Sequence, residues 1–154
     1  MTTSMQVGIT VSVALCGLLI ANAAKVAQLP KTESPAPGEA TTVKHQQLIV
    51  WTSGDREVAL KMVFMYAENC KKRQWMDTVR LLVWGPSGKL LVDDPQLQQR
   101  LNELKLAGVE LYACKACADE YGISDKLSKL GITVIYTGSM LAELQKAGWH
   151  VLSF

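Results

Sequence analysis

Few side chains able to bind a metal or to cross-link the chain are present in this sequence. Its 154 residues contain only two histidines, His45 and His150, which lie far apart. A single CxxC without a second cysteine pair or a histidine pair supplies too few ligands for zinc, so we predict no metal site. The four cysteines are also too few and too unevenly spaced for a disulfide scaffold.

Clusters of charged residues are scarce as well. The net charge is +2 and the largest basic cluster is KKR at 71–73, whereas binding phosphates requires a concentrated basic face. We therefore predict no nucleic-acid partner.

No proline follows Pro95, although thioredoxin-like sites place a cis-proline opposite their CxxC. The segment TSGDRE carries charges where a phosphate-binding loop needs glycines and hydroxyls, so we predict no cofactor.

Near the start of the chain lies an uncharged apolar segment at 7–24. Its length fits a signal peptide or a short membrane span, and Ala-Asn-Ala at 21–23 fits a cleavage site, although no Lys or Arg precedes the segment. We predict a hydrophobic leader over 1–24, followed by a flexible linker over 25–44 that is rich in Pro and Thr. The protein is then exported or periplasmic if the leader is a signal, and membrane-associated through residues 7–24 if it is an anchor. The alternative is a cytoplasmic protein.

Residues 45–154 alternate between a strand period and a helix period, which predicts one α/β domain. Gly108, Gly131 and Gly148 each stand between a helical stretch and an apolar run, where glycine ends a helix. Because helices separate the strands, the strands should be parallel, with helices on both faces. We predict a three-layer αβα, flavodoxin-like architecture whose mainly parallel sheet has about five strands. The predicted strands are 47–51, 79–84, 109–113, 132–138 and 149–154.

Small, mostly hydroxyl-rich loops follow the predicted strands. In open α/β sheets, ligands bind beyond the carboxyl ends of the strands, so these loops form the candidate binding site. Within it, Ser53 and Asp55 are more typical of helix caps than of catalytic groups. The predicted pocket residues are Thr52, Ser53, Gly54, Asp55, Gly85, Pro86, Ser87, Thr137 and Gly138.

The segment YACKACADEYG at 112–122 places two cysteines at the same edge of the sheet. We predict Cys114 and Cys117 as the catalytic residues, since Cys114 leaves the third strand and Cys117 enters the next helix. Unpaired N–H groups at the start of a helix favour a thiolate, and a nearby Lys115 would add to this effect. The competing interpretation is packing, because cysteine is often simply buried, and packing is favoured for Cys70.

With these residues in view, the folded part resembles the DsrE/DsrF-like sulfur-relay family. The resemblance rests on VWTSGDREVALKMVFMYA, on LLVWGPSGKLL and above all on ACKACADEYGI. Cys114 stands where the family carries its cysteine, and Gly122 reproduces the spacing that follows. The resemblance implies a small DsrE-like α/β domain that assembles into trimers or hexamers. It also implies that Cys114 carries a persulfide between donor and acceptor proteins or small sulfane-sulfur species. Cys117 and the leader are departures from the cytoplasmic carriers of this family.

Three functional hypotheses remain for the two cysteines. In the first, which we favour, Cys114 carries sulfane sulfur as a sulfurtransferase-like carrier and Cys117 resolves the persulfide by forming a disulfide. In the second, the CxxC exchanges thiols and disulfides, since thioredoxin-like sites also have a strand–CxxC–helix arrangement. In the third, the protein is a non-catalytic oligomeric binding module and its cysteines are structural.

Overall fold

Five short strands form one parallel sheet in the computed structural model, which describes residues 44–154. The strand order is β4-β3-β2-β1-β5, and every neighbouring pair is parallel. The predicted α/β fold with about five parallel strands is therefore confirmed. The predicted leader, and the predicted linker up to residue 43, lie outside the described residues. The strands are β1 Gln46–Trp51, β2 Thr78–Val83, β3 Glu110–Cys114, β4 Thr133–Ile135 and β5 His150–Ser153.

Helices connect the strands and begin at sequence signals of known chemistry. The Asp55 carboxylate accepts hydrogen bonds from Glu57 N and Val58 N, and thus caps α1 as the sequence predicts. In residues 44–154, no helix has both the length and the apolar character that a membrane span requires. The helices are α1 Arg56–Val58, a π-helical turn Ala59–Phe64, α2 Met65–Lys72, α3 Pro86–Asp93, α4 Pro95–Leu106, α5 Lys115–Glu120, α6 Ser124–Lys129 and α7 Thr137–Lys146.

The two faces of the sheet are covered unequally. Side chains alternate along a strand, so Ile49 and Trp51 face one way and Leu48 and Val50 the other. The first face packs against the π-helical turn and α2 to α6, with Trp51 edge-on to Phe64 at 5.2 Å between ring centroids. On the second face, the cluster of buried residues is smaller and draws its helix contacts from α7. Apolar residues on both faces explain why the strands lack clean polar–apolar alternation in sequence.

Two predicted boundaries are wrong, and both lie near the site. The fourth strand ends at Ile135 rather than at residue 138, and Thr137 begins α7. The segment after Gly85, interpreted as a loop, is α3, whose first residue is Pro86. A proline fits there because its fixed φ suits the first helical position, where no N–H is needed. The segment predicted as one helix over 56–74 also contains a π-helical turn.

Candidate functional site

The carboxyl ends of β1 to β4 bring the predicted loops against one another. A Cβ built on Gly54 would lie 3.5 Å from the Cβ of Pro86, so the loops after β1 and β2 touch. Gly85 N–H is near enough to the sulfur of Cys117 to lower its pKa, and the Thr137 hydroxyl has the same effect on Cys114. These contacts join all four loops around the two thiols. That they bind a ligand stays a prediction.

Cys114 occupies the junction between β3 and α5. Its backbone is extended, with φ −69° and ψ 112°, and it is the N-cap residue of the helix that starts at Lys115. The side chain of an N-cap residue normally accepts hydrogen bonds from the second and third helical N–H groups. Cys114 makes no side-chain capping hydrogen bond of this kind, but the N–H groups of Ala116 and Cys117 lie near enough to its sulfur to lower its pKa. Cys114 as a residue is only 7% exposed.

The surroundings of Cys114 favour its thiolate. Burial is the largest single influence and opposes ionisation, but it is outweighed by the nearby donors Cys117 N–H, the Thr137 hydroxyl, the Cys117 thiol and Ala116 N–H. The net effect lowers the pKa of Cys114 below that of an ordinary thiol. A lowered pKa raises the thiolate fraction at any given pH and makes this sulfur a better leaving group.

Cys117 has the opposite tendency although it lies three residues further on. Burial raises its pKa, and so does the nearby Cys114, both as an acceptor for the Cys117 proton and through its negative charge. Gly85 N–H works against these influences by favouring the Cys117 thiolate. The pKa values of the two cysteines are therefore shifted in opposite directions, and neither sulfur is in a disulfide bond. Within residues 44–154, no group of three or more His, Cys, Asp and Glu side chains could hold a metal ion.

Thr137 contributes a buried hydroxyl to this pair. The residue is 1% exposed, and its oxygen makes no hydrogen bond of good geometry within the described residues. Its influence on Cys114 is therefore that of a close donor rather than of a fully formed bond. A buried hydroxyl without a partner costs free energy, so the site holds a donor ready for a sulfur anion.

Gly85 and Ser87 shape the loop above the thiols. Gly85 has φ +71° and ψ −132°, a conformation that side chains strongly disfavour, and a Cβ there would meet nothing within 4 Å. Glycine is therefore required at this position by the backbone conformation, and not by a lack of space for a side chain. The Ser87 hydroxyl is buried, donates to Trp51 O at 2.6 Å and accepts from Trp84 N at 3.1 Å. Ser87 therefore ties β1 to β2 instead of facing an open pocket.

The first loop is largely engaged with the end of the chain. Thr52 N, the Thr52 hydroxyl and Ser53 N all donate to the main-chain oxygen of Phe154, at 2.8, 2.7 and 3.2 Å. The Ser53 oxygen accepts from Asp55 N at 3.0 Å. Most polar groups of this loop consequently hold β5 and cap α1. Of the predicted pocket residues, Gly85 and Thr137 act directly on the two sulfurs.

Lys115 differs from its predicted role. Its ammonium group lies 2.6 Å from the Asp119 carboxylate and 5.7 Å from the centre of the Tyr136 ring. It is not among the groups that lower the pKa of Cys114. Sequence reasoning did not single out Tyr136, which is exposed at the rim, or the main-chain N–H of Ala116. A main-chain donor leaves no signal in sequence.

Comparison with known proteins connects this geometry to a family. Residues 75–154, more than half of the chain, match the model of the DsrE/DsrF-like family, and this segment includes both cysteines and Thr137. No curated protein matches the sequence. A conserved protein of unknown function from Bacteroides thetaiotaomicron is 34% identical, with a TM-score of 0.71 over 75% of this chain and 100% of its own.

Two more distant structures share the fold alone. The ychN protein from E. coli is 20% identical, with a TM-score of 0.57 over 71% of this chain and 99% of its own. A protein of unknown function from Methanobacterium thermoautotrophicum has the same identity, TM-score and coverage. Similarity at this level of identity shows that the chain shares the architecture of these proteins, but does not assign an activity to it.

Proposed function

Because the chain belongs to the DsrE/DsrF-like family, we propose that it is a sulfur-relay protein in which Cys114 carries sulfane sulfur as a persulfide. The observation that carries the proposal is the set of donors around one buried sulfur. Two main-chain N–H groups, the Thr137 hydroxyl and the Cys117 thiol all favour the Cys114 thiolate. A cysteine held only for packing has no need of such a set, since burial without donors suppresses ionisation.

Loading and transfer both use a stabilised thiolate. In loading, the Cys114 thiolate attacks a sulfane sulfur of the donor, the donor's S–S bond breaks, and the shortened donor leaves with the electron pair. In transfer, an acceptor thiolate attacks the outer sulfur of the persulfide and the Cys114 thiolate leaves. Thiol–disulfide exchange is faster when the leaving thiol has a lower pKa, so the same donors assist the second step.

The glycines of the loops after β2 and β4 are not crowded. A Cβ built on Gly85 or on Gly138 would meet no atom within 4 Å beyond the adjoining backbone. No side chain therefore covers the loops at these two positions. The donors around the thiols are neutral N–H, O–H and S–H groups, which suits a sulfide or polysulfide chain better than a large charged ligand.

The proposal includes a homo-oligomer, a trimer or a hexamer. Its support is the apolar edge strand β5, where Val151 and Leu152 are 37% and 38% exposed. The predicted export or anchoring through the leader also belongs to the proposal. Dithiol exchange is the second candidate function, because Cys114 and Cys117 are both reduced and have opposite pKa shifts, as an exchanging pair requires.

Loading with polysulfide tests the proposal directly. Trypsin cuts after Lys115, so Cys114 and Cys117 fall on separate peptides, 106–115 and 116–126. Full-length protein exposed briefly to polysulfide should gain the mass of one sulfur atom on peptide 106–115. Cys114→Ser should lose this uptake, and Cys117→Ser should keep it. Uptake by Cys114→Ser at the rate of the unmodified protein would remove Cys114 as the carrier.

A further inference from the structure

The second thiol at this site has a role that carriage of sulfur does not need. Cys117 sits at the third helical position of α5, one turn from the N-cap residue Cys114, and the two thiols are near enough for each to shift the pKa of the other. Gly85 N–H, from the neighbouring loop, favours the Cys117 thiolate. Cys117 is thus one helical turn from the sulfur that becomes the inner atom of a persulfide.

From this placement we propose that Cys117 discharges the Cys114 persulfide as hydrosulfide and leaves a Cys114–Cys117 disulfide. The inference rests on the proposed function, since it begins with a loaded Cys114. It gives the site a second activity, the reduction of sulfane sulfur to sulfide, and thereby limits how long the chain stays loaded.

The step balances within the protein. The Cys117 thiolate attacks the inner sulfur of the persulfide, a bond forms between the two cysteine sulfurs, and the bond between the inner and outer sulfurs breaks. The outer sulfur leaves with the electron pair and, once protonated, is hydrosulfide. The two cysteines are oxidised to a disulfide while the sulfane sulfur is reduced, so no external oxidant or reductant enters the step. A thiol reductant is needed only to restore the pair.

Loading itself makes Cys117 reactive. Before loading, the Cys114 thiolate holds the Cys117 proton by a hydrogen bond and by its charge, and both raise the pKa of Cys117. Once the Cys114 sulfur is bonded to a second sulfur, its negative charge moves to the outer atom and this hold weakens. Gly85 N–H continues to favour the Cys117 thiolate. The unloaded pair is therefore inactive in this step, and the loaded pair is active.

Helix geometry permits the disulfide. In CxxC sites at the start of a helix, the first and fourth residues of the motif lie one turn apart, within the distance that a disulfide spans. In this chain the two positions are the N-cap and the third residue of α5, so a disulfide between them follows the geometry of such sites.

The test follows sulfur in full-length protein that has been loaded with sodium polysulfide and then separated from it. The unmodified chain should release hydrosulfide in an amount equal to the disulfide that joins peptides 106–115 and 116–126. Cys117→Ser keeps a hydrogen-bond donor and Cys117→Ala does not, but neither has the attacking sulfur. Both variants should lose hydrosulfide release, and the persulfide should persist on Cys114.

Every other outcome contradicts either the inference or the proposed function. Persistence of the persulfide in the unmodified chain for as long as in Cys117→Ser overturns the inference while leaving carriage intact. So does a disulfide without matching hydrosulfide, or sulfur found on peptide 116–126. Failure of Cys117→Ser to take up any sulfur on Cys114 overturns the proposed function itself, and the inference with it.

Discussion

The hydroxyl of Thr137, the first residue of α7, faces the sulfur of Cys114, the last residue of β3. The contact joins the ends of two neighbouring strands, β3 and β4, at one reactive atom. The first prediction concerns this contact. Thr137→Val removes the donor while keeping the shape of the side chain, so the pKa of Cys114 should rise. The pH midpoint of Cys114 alkylation should rise with it.

Thr137→Ser keeps the hydroxyl and should keep the midpoint close to that of the unmodified protein. Thr133→Val makes the same chemical change in β4, away from the thiols, and serves as the matched control. An unchanged midpoint in Thr137→Val would mean that the hydroxyl does not act on the sulfur. The readout is the rate of iodoacetamide labelling against pH, followed peptide by peptide.

A second prediction ranks Cys114, Cys117 and Cys70 by the pH midpoint of their alkylation. Alkylation requires the thiolate, so its rate rises as pH passes through the pKa of each thiol. The lowered pKa of Cys114 places its midpoint below the ordinary value of a cysteine thiol. Burial raises the pKa of both Cys117 and Cys70, so their midpoints should lie above that value.

The groups that lower the pKa of Cys114 are neutral. The Thr137 hydroxyl and the Cys117 thiol face its sulfur, while Glu120 adds negative charge near Cys117 and Lys115 is paired with Asp119. Added salt should therefore move the Cys114 midpoint little, because hydrogen bonds are screened much less than exposed charges. A Cys114 midpoint equal to or above that of Cys117 contradicts the assignment of the nucleophile.

A third prediction concerns the backbone at Gly85. Gly85→Ala should destabilise the fold by about 1–3 kcal/mol, because only glycine adopts this conformation without strain. It should also slow hydrosulfide release, since the shifted N–H no longer favours the Cys117 thiolate. Gly148→Ala is the matched control, because Gly148 also has a positive φ, of 80°, and open space around its Cα, but lies away from the thiols. It should cost stability and leave the release rate unchanged.

Stability is measured for both glycine variants by denaturant unfolding, and release by the sulfide assay applied to loaded protein. Equal slowing of release in both variants would show a general loss of stability rather than a local effect at Cys117.

A fourth prediction separates Ser87 from the chemistry. Ser87→Ala removes the 2.6 Å hydrogen bond to the Trp51 carbonyl, which still accepts from Trp84 N at 2.9 Å, and should cost about 1 kcal/mol. Ser139→Ala, on the exposed surface of α7, should change the unfolding free energy little. Both variants should still load sulfur on Cys114 at temperatures where they are folded. Loss of loading in a folded Ser87→Ala protein would place this hydroxyl in the site after all.

The fold could be predicted from sequence because its signals are local. Gly108, Gly131 and Gly148 stop helices in the left-handed conformation, with φ of 89°, 77° and 80°, and each marks the strand that follows. These boundaries, together with parallel connections, place Cys114 at the correct edge of the sheet. The family resemblance then supplies the expectation of sulfur chemistry, which neither composition nor spacing contains.

The details of the site depend on contacts that sequence does not encode locally. The run of β-branched and aromatic residues in TVIYT favours a strand through Thr137, yet the chain turns into α7 there and aims the hydroxyl at Cys114. Donors at Ala116, Cys117 and Gly85 belong to the main chain. Lys115 turns to Asp119 because a carboxylate four residues further along a helix is within its reach.

Transfer of labelled sulfur from Cys114 to an acceptor thiol tests the central claim most directly. Cys117→Ser is loaded with isotopically labelled polysulfide, freed of the donor, shown to hold the label on peptide 106–115, and mixed with a small thiol acceptor. The label should appear as acceptor persulfide at the rate at which it leaves Cys114, and Cys114 should return to a free thiol able to load again. Label that stays on Cys114 in the presence of excess acceptor thiol would contradict a sulfur relay.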